Sequence, residues 1–257
     1  MYRKHAILFL LTPLVSLAFT ACLSTPSIAP NPANPLRTVA VLPMLNNTTD
    51  VEGPLFVRQQ LVDALTQHAY VVTPLAEVDQ ILKDQMGVTL GTQLDMASSK
   101  MLAEALGVDS LLYTALDDFS HNVTGLYNSK RVCIRAKLVD KNSETVWSNG
   151  IGVQSSSGTL AGSVPSRSNT SSGEGLPLFG TKINVRWLDL SGSSGQLWGG
   201  DIRTAAIAGF ADKVIMKAMK KPLFQETRTA VNGLLEAFPA GPGTARVVTG
   251  SSGILGN

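Results

Sequence analysis

The chain of 257 residues is long enough for one large domain with additional segments, and its hydrophobic content of 44% is that of a globular protein. The formal net charge is +2, but Arg3 and Lys4 fall in a predicted signal sequence, which leaves 19 basic (21 − 2) and 19 acidic residues. Because a neutral surface does not attract phosphates, these numbers give no support for a nucleic-acid partner.

Residues 1–21 have the pattern of a secretion signal. A basic start is followed by an apolar run from Ala6 to Phe19, which is too short and too interrupted for a membrane span of about 20 apolar residues. Phe19-Thr20-Ala21-Cys22 resembles the bacterial lipobox. The resemblance implies cleavage between Ala21 and Cys22 and acylation of Cys22, so that the mature protein is anchored in a membrane by its acyl chains. The alternative is an ordinary signal sequence with a chance cysteine.

Leu23 follows this cysteine, at the position where an aspartate often signals retention in the inner membrane. We therefore expect an outer-membrane location, facing the periplasm. Residues 22–36 are rich in proline and small residues, which exclude helix and central strand, and they predict a flexible tether.

Residues 37–153 predict an α/β sandwich domain, a mixed sheet with helices on one face. The apolar periodicity and the turn residues predict strands at 38–43, 70–72, 110–116, 130–138 and 145–153, and helices at 54–69, 74–86 and 95–106. Asp95 is the predicted N-cap of the last of these helices.

One predicted strand alternates clearly. Its apolar side chains face one way, and the other side chains face the opposite way: Val132, Ile134, Ala136 and Leu138 against Arg131, Cys133, Arg135 and Lys137. Cys133 is either a single small thiol or a partner for a cysteine of another chain, because acylation of Cys22 leaves it without an intrachain partner.

Residues 154–200 form a Ser/Gly-rich insertion with an amphipathic strand near 179–187. A membrane β-strand needs about 9–11 alternating residues. The stretch 179–187 is therefore either one half of a membrane hairpin formed by residues 149–200 or, as we favour, one more strand of the soluble sheet. Residues 201–238 predict C-terminal helices, and residues 239–257 predict a flexible tail. A lysine cluster near 213–221 either contacts anionic lipid or is a solvated helix end.

The sequence offers no catalytic constellation. Of the histidines outside the signal, His68 and His121 have no metal-ligand spacing, and Asp117-Asp118 are adjacent acids of the kind that are usually solvated. We find no phosphate-binding loop and no nucleophile elbow, and so expect no enzyme, no cofactor and no metal site.

Four segments, taken in their order along the chain, carry a family resemblance: residues 39–50, 69–79, 106–113 and 136–148. Together they resemble lipoproteins of unknown function related to the curli-secretion (CsgG-like) lipoproteins, which share an α/β domain akin to the N-terminal domain of TolB. The resemblance covers about half the chain, from Thr38 to Gly152. It implies a role in envelope assembly or secretion, and it brings no catalytic residues.

Two functions follow as expectations. The first is a lipid-anchored accessory that binds an envelope protein, such as a CsgG-like lipoprotein, through the loop Asn46–Asp50 and the Ser/Gly-rich insertion. The alternative is a subunit of a homo-oligomeric outer-membrane secretion pore, each copy inserting a hairpin from residues 149–200.

Overall fold

The computed structural model describes residues 28–124, 128–157, 175–190 and 223–243. Outside this part lie Cys22 and the predicted signal sequence, most of the Ser/Gly-rich insertion, the predicted helix at 201–221 with its lysines, and the last residues of the chain. Within the described residues, no helix is both long enough and apolar enough to cross a membrane.

The first part of the chain alternates strands with helices, and six described strands then follow one another before the last described helix. The strands are β1 (Thr38–Val41), β2 (Leu45–Asn46), β3 (Val71–Val72), β4 (Ser110–Val123), β5 (Asn128–Asp140), β6 (Thr145–Ser157), β7 (Leu176–Leu178), β8 (Thr181–Ile183) and β9 (Arg186–Asp189). The helices are α1 (Gly53–Gln67), α2 (Leu75–Met86), α3 (Ser99–Leu106) and α4 (Phe224–Leu234), with a short 3-10 helix at Gly91–Met96.

The main sheet is mixed and has the order β3-β1-β4-β5-β6-β9, with β2 also paired to β4. β3 and β4 run parallel to β1, β4-β5-β6 form an antiparallel meander, and β9 runs parallel to β6. The mixed α/β architecture predicted from the sequence is therefore confirmed.

Helices cover both faces of the sheet, so the prediction of a single covered face is wrong. On one face α1 and α4 pack on aliphatic side chains that include Val41, Leu116 and Ile134. On the other face α2, the 3-10 helix and α3 pack on Ala40, Leu111 and their neighbours. β1 is therefore buried on both faces, which explains why its sequence is continuously apolar rather than alternating.

Two local predictions differ from the structure. Ser98, not Asp95, caps α3: its hydroxyl oxygen accepts a hydrogen bond from the Met101 N–H, because the 3-10 turn already includes residue 95. The amphipathic stretch 179–187 is not one strand. Residues 176–183 form the small β7-β8 hairpin, and the chain then enters β9 beside β6.

Glycines let this stretch lie close to β6. A Cβ on Gly150 would come within 2.6 Å of the Asn184 carbonyl oxygen, and one on Gly152 within 2.5 Å of the Trp187 ring. The glycines that suggest flexibility in the sequence therefore serve close packing here.

β4 contains a β-bulge at Asp117, where its register with β5 shifts between Leu116 and Asp118. Beyond the bulge β4 continues to Val123, well past its last pairing with β2 at Leu116. A bulge turns a side chain to a new direction and bends the strand. Here it separates the covered part of the sheet from a projecting β4-β5 ribbon.

Candidate functional site

One end of the sheet is closed by a strap made of the segments 28–36 and 239–243. The backbone N–H of Ile28 donates to the Gln67 carbonyl at 3.2 Å, and that of Asn31 donates to Gly241 at 2.8 Å. The Asn34 side-chain amide donates to the Tyr70 hydroxyl and to the Ala240 carbonyl, at 2.9 and 2.8 Å. We call this end the strapped end. The flexible tether predicted over residues 22–36 is therefore bound to the domain from residue 28 onward.

The starts of β1 and β4 are joined at the strapped end by one carboxylate. Asp109 accepts hydrogen bonds from the backbone N–H groups of Arg37 and Thr38 and from the Thr38 hydroxyl, at 3.0–3.1 Å. Burial alone would raise the pKa of Asp109, but these donors, with the nearby charge of Lys141, hold it below its usual value. The carboxylate is thus ionised and fixed where the N-terminal segment enters the sheet.

The buried His68 also lies at the strapped end. Its ring stacks edge-on against Phe238, with the ring centroids 5.8 Å apart, and its Nδ1 has no hydrogen-bond partner. Burial lowers its pKa below 6.5. The ring is a packing group of the strap, whereas His121 is exposed at the opposite end, 2.9 Å from the Asn128 side-chain oxygen.

Arg135 is the centre of the most extensive buried polar contact. Its Nε and Nη2 donate to the two carboxylate oxygens of Asp117, at 2.5 and 2.7 Å, and its Nη1 donates to the Leu176 and Pro177 carbonyls, at 3.0 and 2.8 Å. Asp117 also accepts from the Asn47 side-chain amide at 2.7 Å. Arg135 therefore joins β5, the bulge of β4, the loop after β2 and the β7-β8 hairpin.

Lys137 holds the same hairpin two residues further along β5. Its Nζ donates to the Phe179 carbonyl at 2.5 Å and lies 5.2 Å from the centre of the Tyr113 ring. Burial lowers the pKa of Lys137, and the charge of Asp95 opposes that shift. Arg135 and Lys137, which the alternation of β5 places opposite its apolar face, are buried under the β7-β8 hairpin. The thiol of Cys133, which forms no disulfide in the described part of the chain, is buried on the same strand.

The edge of the sheet at β3 is closed by a side chain. β3 has only two residues, so the Val41 carbonyl of β1 extends beyond it. The buried Arg58 donates to this carbonyl at 3.0 Å and forms a two-point ion pair with Asp79 of α2, at 2.8 and 3.0 Å. Arg58 therefore satisfies the group that a longer edge strand would have bonded.

The end opposite the strap, which we call the free end, carries the loop 46–52 and the β4-β5 ribbon. Within the loop, Asn46 and Asp50 bind its own backbone, and Asp50 accepts from the Gly53 N–H where α1 begins. Asn47 alone of these side chains contacts the ribbon, through Asp117. The loop predicted as a contact surface is therefore well ordered and lies at this end.

Sequence reasoning missed the contacts that organise these surfaces: Asp109, Arg58, Arg135 and Lys137. Charged residues inside otherwise apolar elements were the available signal, but their partners are backbone carbonyls and distant residues that no local pattern reveals. In the described part of the chain, no three histidine, cysteine or acidic side chains come together as metal ligands.

The fold defines the class of protein, which is a mixed α/β domain with a strap across one end of its sheet. The comparisons then define the family. Residues 31–164 match the family model described as "Putative lipoprotein GNA1162-like", and this range is just over half of the chain. The chain belongs to the GNA1162-like family. The wider relationship to CsgG and TolB stays a prediction.

Similar proteins include the "Putative lipoprotein NMB1124/NMB1162" of Neisseria meningitidis serogroup B, which is 28% identical over 120 residues, 46% of this chain and 55% of that protein. The chain thus matches about half the length of this curated relative. Among solved structures, lipoprotein GNA1162 from N. meningitidis has 26% identity and a TM-score of 0.44, covering 47% of this chain and 84% of that one. The LpoB C-terminal domain from Salmonella enterica has 19% identity and a TM-score of 0.32, covering 55% and 92%.

Proposed function

We propose that the protein is a non-enzymatic accessory of the outer membrane, anchored through acylated Cys22, that faces the periplasm and binds an envelope protein during assembly or secretion. One observation carries the proposal. The N-terminal segment leaves the domain at Ile28, on the strapped end, and Ile28 follows Cys22 by six residue steps. Six residues span at most about 20 Å, so the anchor keeps the strapped end close to the lipid.

This arrangement supports a binding role at the free end. The bilayer side of the domain is occupied by the strap, and the loop 46–52 with the β4-β5 ribbon is directed away from the membrane. Loops and strand ends on a rigid scaffold are the usual carriers of binding function. The proposed partner is an envelope protein, with a CsgG-like lipoprotein as the first candidate because of the sequence resemblance.

The alternative function, a subunit of a secretion pore, requires part of the described sheet to rearrange. Residues 149–157 and 175–189 lie in or against the sheet, and the β7-β8 hairpin is held there by Arg135 and Lys137. Only 17 residues, 158–174, separate these segments. A membrane hairpin needs two strands of about 9–11 residues, so insertion requires the hairpin to leave the sheet and break both cationic contacts.

Mass spectrometry of the N-terminal peptide tests the anchor. We expect a diacylglyceryl group on Cys22, with the preceding residues removed, and co-sedimentation of the protein with outer-membrane vesicles on a density gradient. Cys22→Ser should release it from the membrane fraction, whereas Cys133→Ser, a buried cysteine of the domain, should leave it there. An unmodified Cys22 in membrane-bound wild-type protein would contradict the proposal.

A further inference from the structure

Among the described strands, none pairs with the outer edge of β4 beyond the bulge, which we call the open edge. Residues Asp118–Val123 pair with β5 on one side only, and no other described backbone group bonds to them. Every second residue in a strand turns its N–H and C=O toward the same side. The six residues therefore offer a row of free backbone donors and acceptors about 20 Å long.

The open edge lies on the side of β4 that β1 and β2 occupy before the bulge. β1 and then β2 run beside β4 up to Leu116, whose carbonyl accepts the Asn47 N–H at 2.9 Å. The chain then turns away into the loop 46–52 and leaves the same position empty further along β4. By contrast, the edge at β3 is closed by the Arg58 side chain.

The surroundings of the open edge are apolar and acidic. The first turn of α1 lies against this part of β4, because a Cβ on Gly53 would come within 2.8 Å of the Phe119 ring. On either side of Gly53, Val51 is 88% exposed and Leu55 is 60% exposed, and Val123 at the end of the strand is 67% exposed. The charged side chains on the edge and in the adjoining loop are Asp118, Asp50 and Glu52.

We infer that this open edge binds an extended segment of a partner protein by β-strand addition, and that the segment alternates apolar with basic residues. Main-chain hydrogen bonds supply the affinity in such complexes, and side chains beside the edge supply the selectivity. The apolar residues of the segment would cover Val51, Leu55 and Val123, and its basic residues would meet Asp118, which faces the other side of the sheet from Phe119. The inference rests on the proposed function only for the existence of an envelope partner.

A second copy of the chain fits this edge poorly. Pairing two β4 edges brings two sets of carboxylates into one interface, and like charges across strands are destabilising. The bulge at Asp117 and the acidic side chains are the devices by which proteins prevent edge-to-edge self-association. A basic segment turns the same charges into attraction.

The test uses full-length protein extracted in detergent and a synthetic octapeptide of alternating valine and lysine, acetylated, amidated and labelled with fluorescein. The control peptides alternate valine with glutamate, or carry N-methyl groups on every second amide. We expect binding of the valine–lysine peptide only, together with slowed hydrogen exchange in the peptide fragment that contains residues 118–123.

Asp118→Lys should weaken this binding about fivefold or more, because it places a like charge at the edge. Asp63→Lys is the matched control, since Asp63 is an exposed aspartate that lies ten residues, about 15 Å, along α1 from Gly53. It should leave the affinity unchanged. Equal binding by both variants, or unchanged exchange at residues 118–123 in the wild type, would overturn the inference.

Two further outcomes separate the possibilities. Protection of the same amides without peptide, together with a dimer in light scattering, would assign the edge to a second copy and overturn the inference. Release from the membrane by Cys22→Ser with unchanged peptide binding is expected, because residue 22 is not part of the domain. An unacylated wild-type protein that still binds the peptide would refute the anchor while leaving the edge assignment intact.

Discussion

The two ends of the sheet differ in how their backbone groups are hydrogen-bonded. At the strapped end, the starts of β1, β3 and β4 meet the two segments of the strap, and the backbone and side-chain groups there are joined through Asp109, Asn34 and Tyr70. At the free end, β4 continues past β2, so that it pairs with β5 on one side and no described strand pairs with its other side. We propose that one end stabilises and positions the domain and that the other end binds a partner.

The largest effect is expected at Arg135, which joins the bulge of β4 to the β7-β8 hairpin. Arg135→Ala leaves the Asp117 carboxylate without its cation and the β7-β8 hairpin without two hydrogen bonds, so we expect a loss of about 3–5 kcal/mol in unfolding free energy. Urea denaturation measures it. Arg186→Ala is the control, because its ion pair with Glu236 is half exposed and should contribute less than about 1 kcal/mol. Equal losses would mean that Arg135 does not hold the ribbon and hairpin together.

A matched pair of aspartates compares the ends directly. Asp109→Ala at the strapped end removes three hydrogen bonds to a carboxylate and should cost about 2–3 kcal/mol. Asp118→Ala at the free end should change stability by less than about 0.5 kcal/mol. Because the pKa of Asp109 is lowered in the folded state, its contribution is present above the unfolded value of 3.8 and is lost as the pH falls through the folded pKa. A similar loss in both variants would remove the distinction between the ends.

A smaller effect is expected for the strap itself. Asn34→Ala removes its bonds to Tyr70 and Ala240 and should cost about 1–2 kcal/mol, with faster hydrogen exchange at residues 239–243. The corresponding change at the free end, Asn122→Ala, should leave exchange at these residues unchanged. Unaltered exchange in Asn34→Ala would show that the strap is held by other contacts.

The smallest effect is a pH dependence from His68. Burial lowers its folded pKa, so above pH 6.5 the ring is neutral in both states and contributes no pH dependence. Below 6.5 the unfolded chain takes up the proton first, and stability falls until the pH reaches the folded pKa. Urea midpoints between pH 8 and pH 5 should therefore decline less in His68→Gln than in the wild type. If the urea midpoints of the variant and the wild type decline equally with pH, His68 is not the source of the pH dependence.

The sequence predicted most of the fold because apolar periodicity reports burial directly. The continuous run of β1 and the stripes of α1 and α2 are local signals, and they identified the elements within a few residues. The alternation in β5 was also right about the apolar face. The alternation gave no sign that the opposite face is buried, because the β7-β8 hairpin that covers Arg135 and Lys137 is some 40 residues away in sequence.

The surfaces at the two ends were less predictable for a related reason. Residues 28–36 have the composition of a tether, and only their bonds to residues 67–70 and 239–243 make them part of the domain. The open edge of β4 depends on where β2 stops, which is a property of the sheet and not of the β4 sequence. Pairing partners distant in the chain decide both features.

The most direct test of the account measures which end of the domain lies near the membrane. Acylated protein is placed in vesicles that contain a headgroup-labelled acceptor lipid, and a donor dye is attached at Asn142→Cys or at Asn122→Cys, in a Cys133→Ser background. The two sites lie at opposite ends of β5, whose 12 residue steps from Asn128 to Asp140 span about 40 Å. Stronger energy transfer from position 142 is the predicted result, because that turn lies at the strapped end. Equal transfer, or stronger transfer from position 122, would contradict the account.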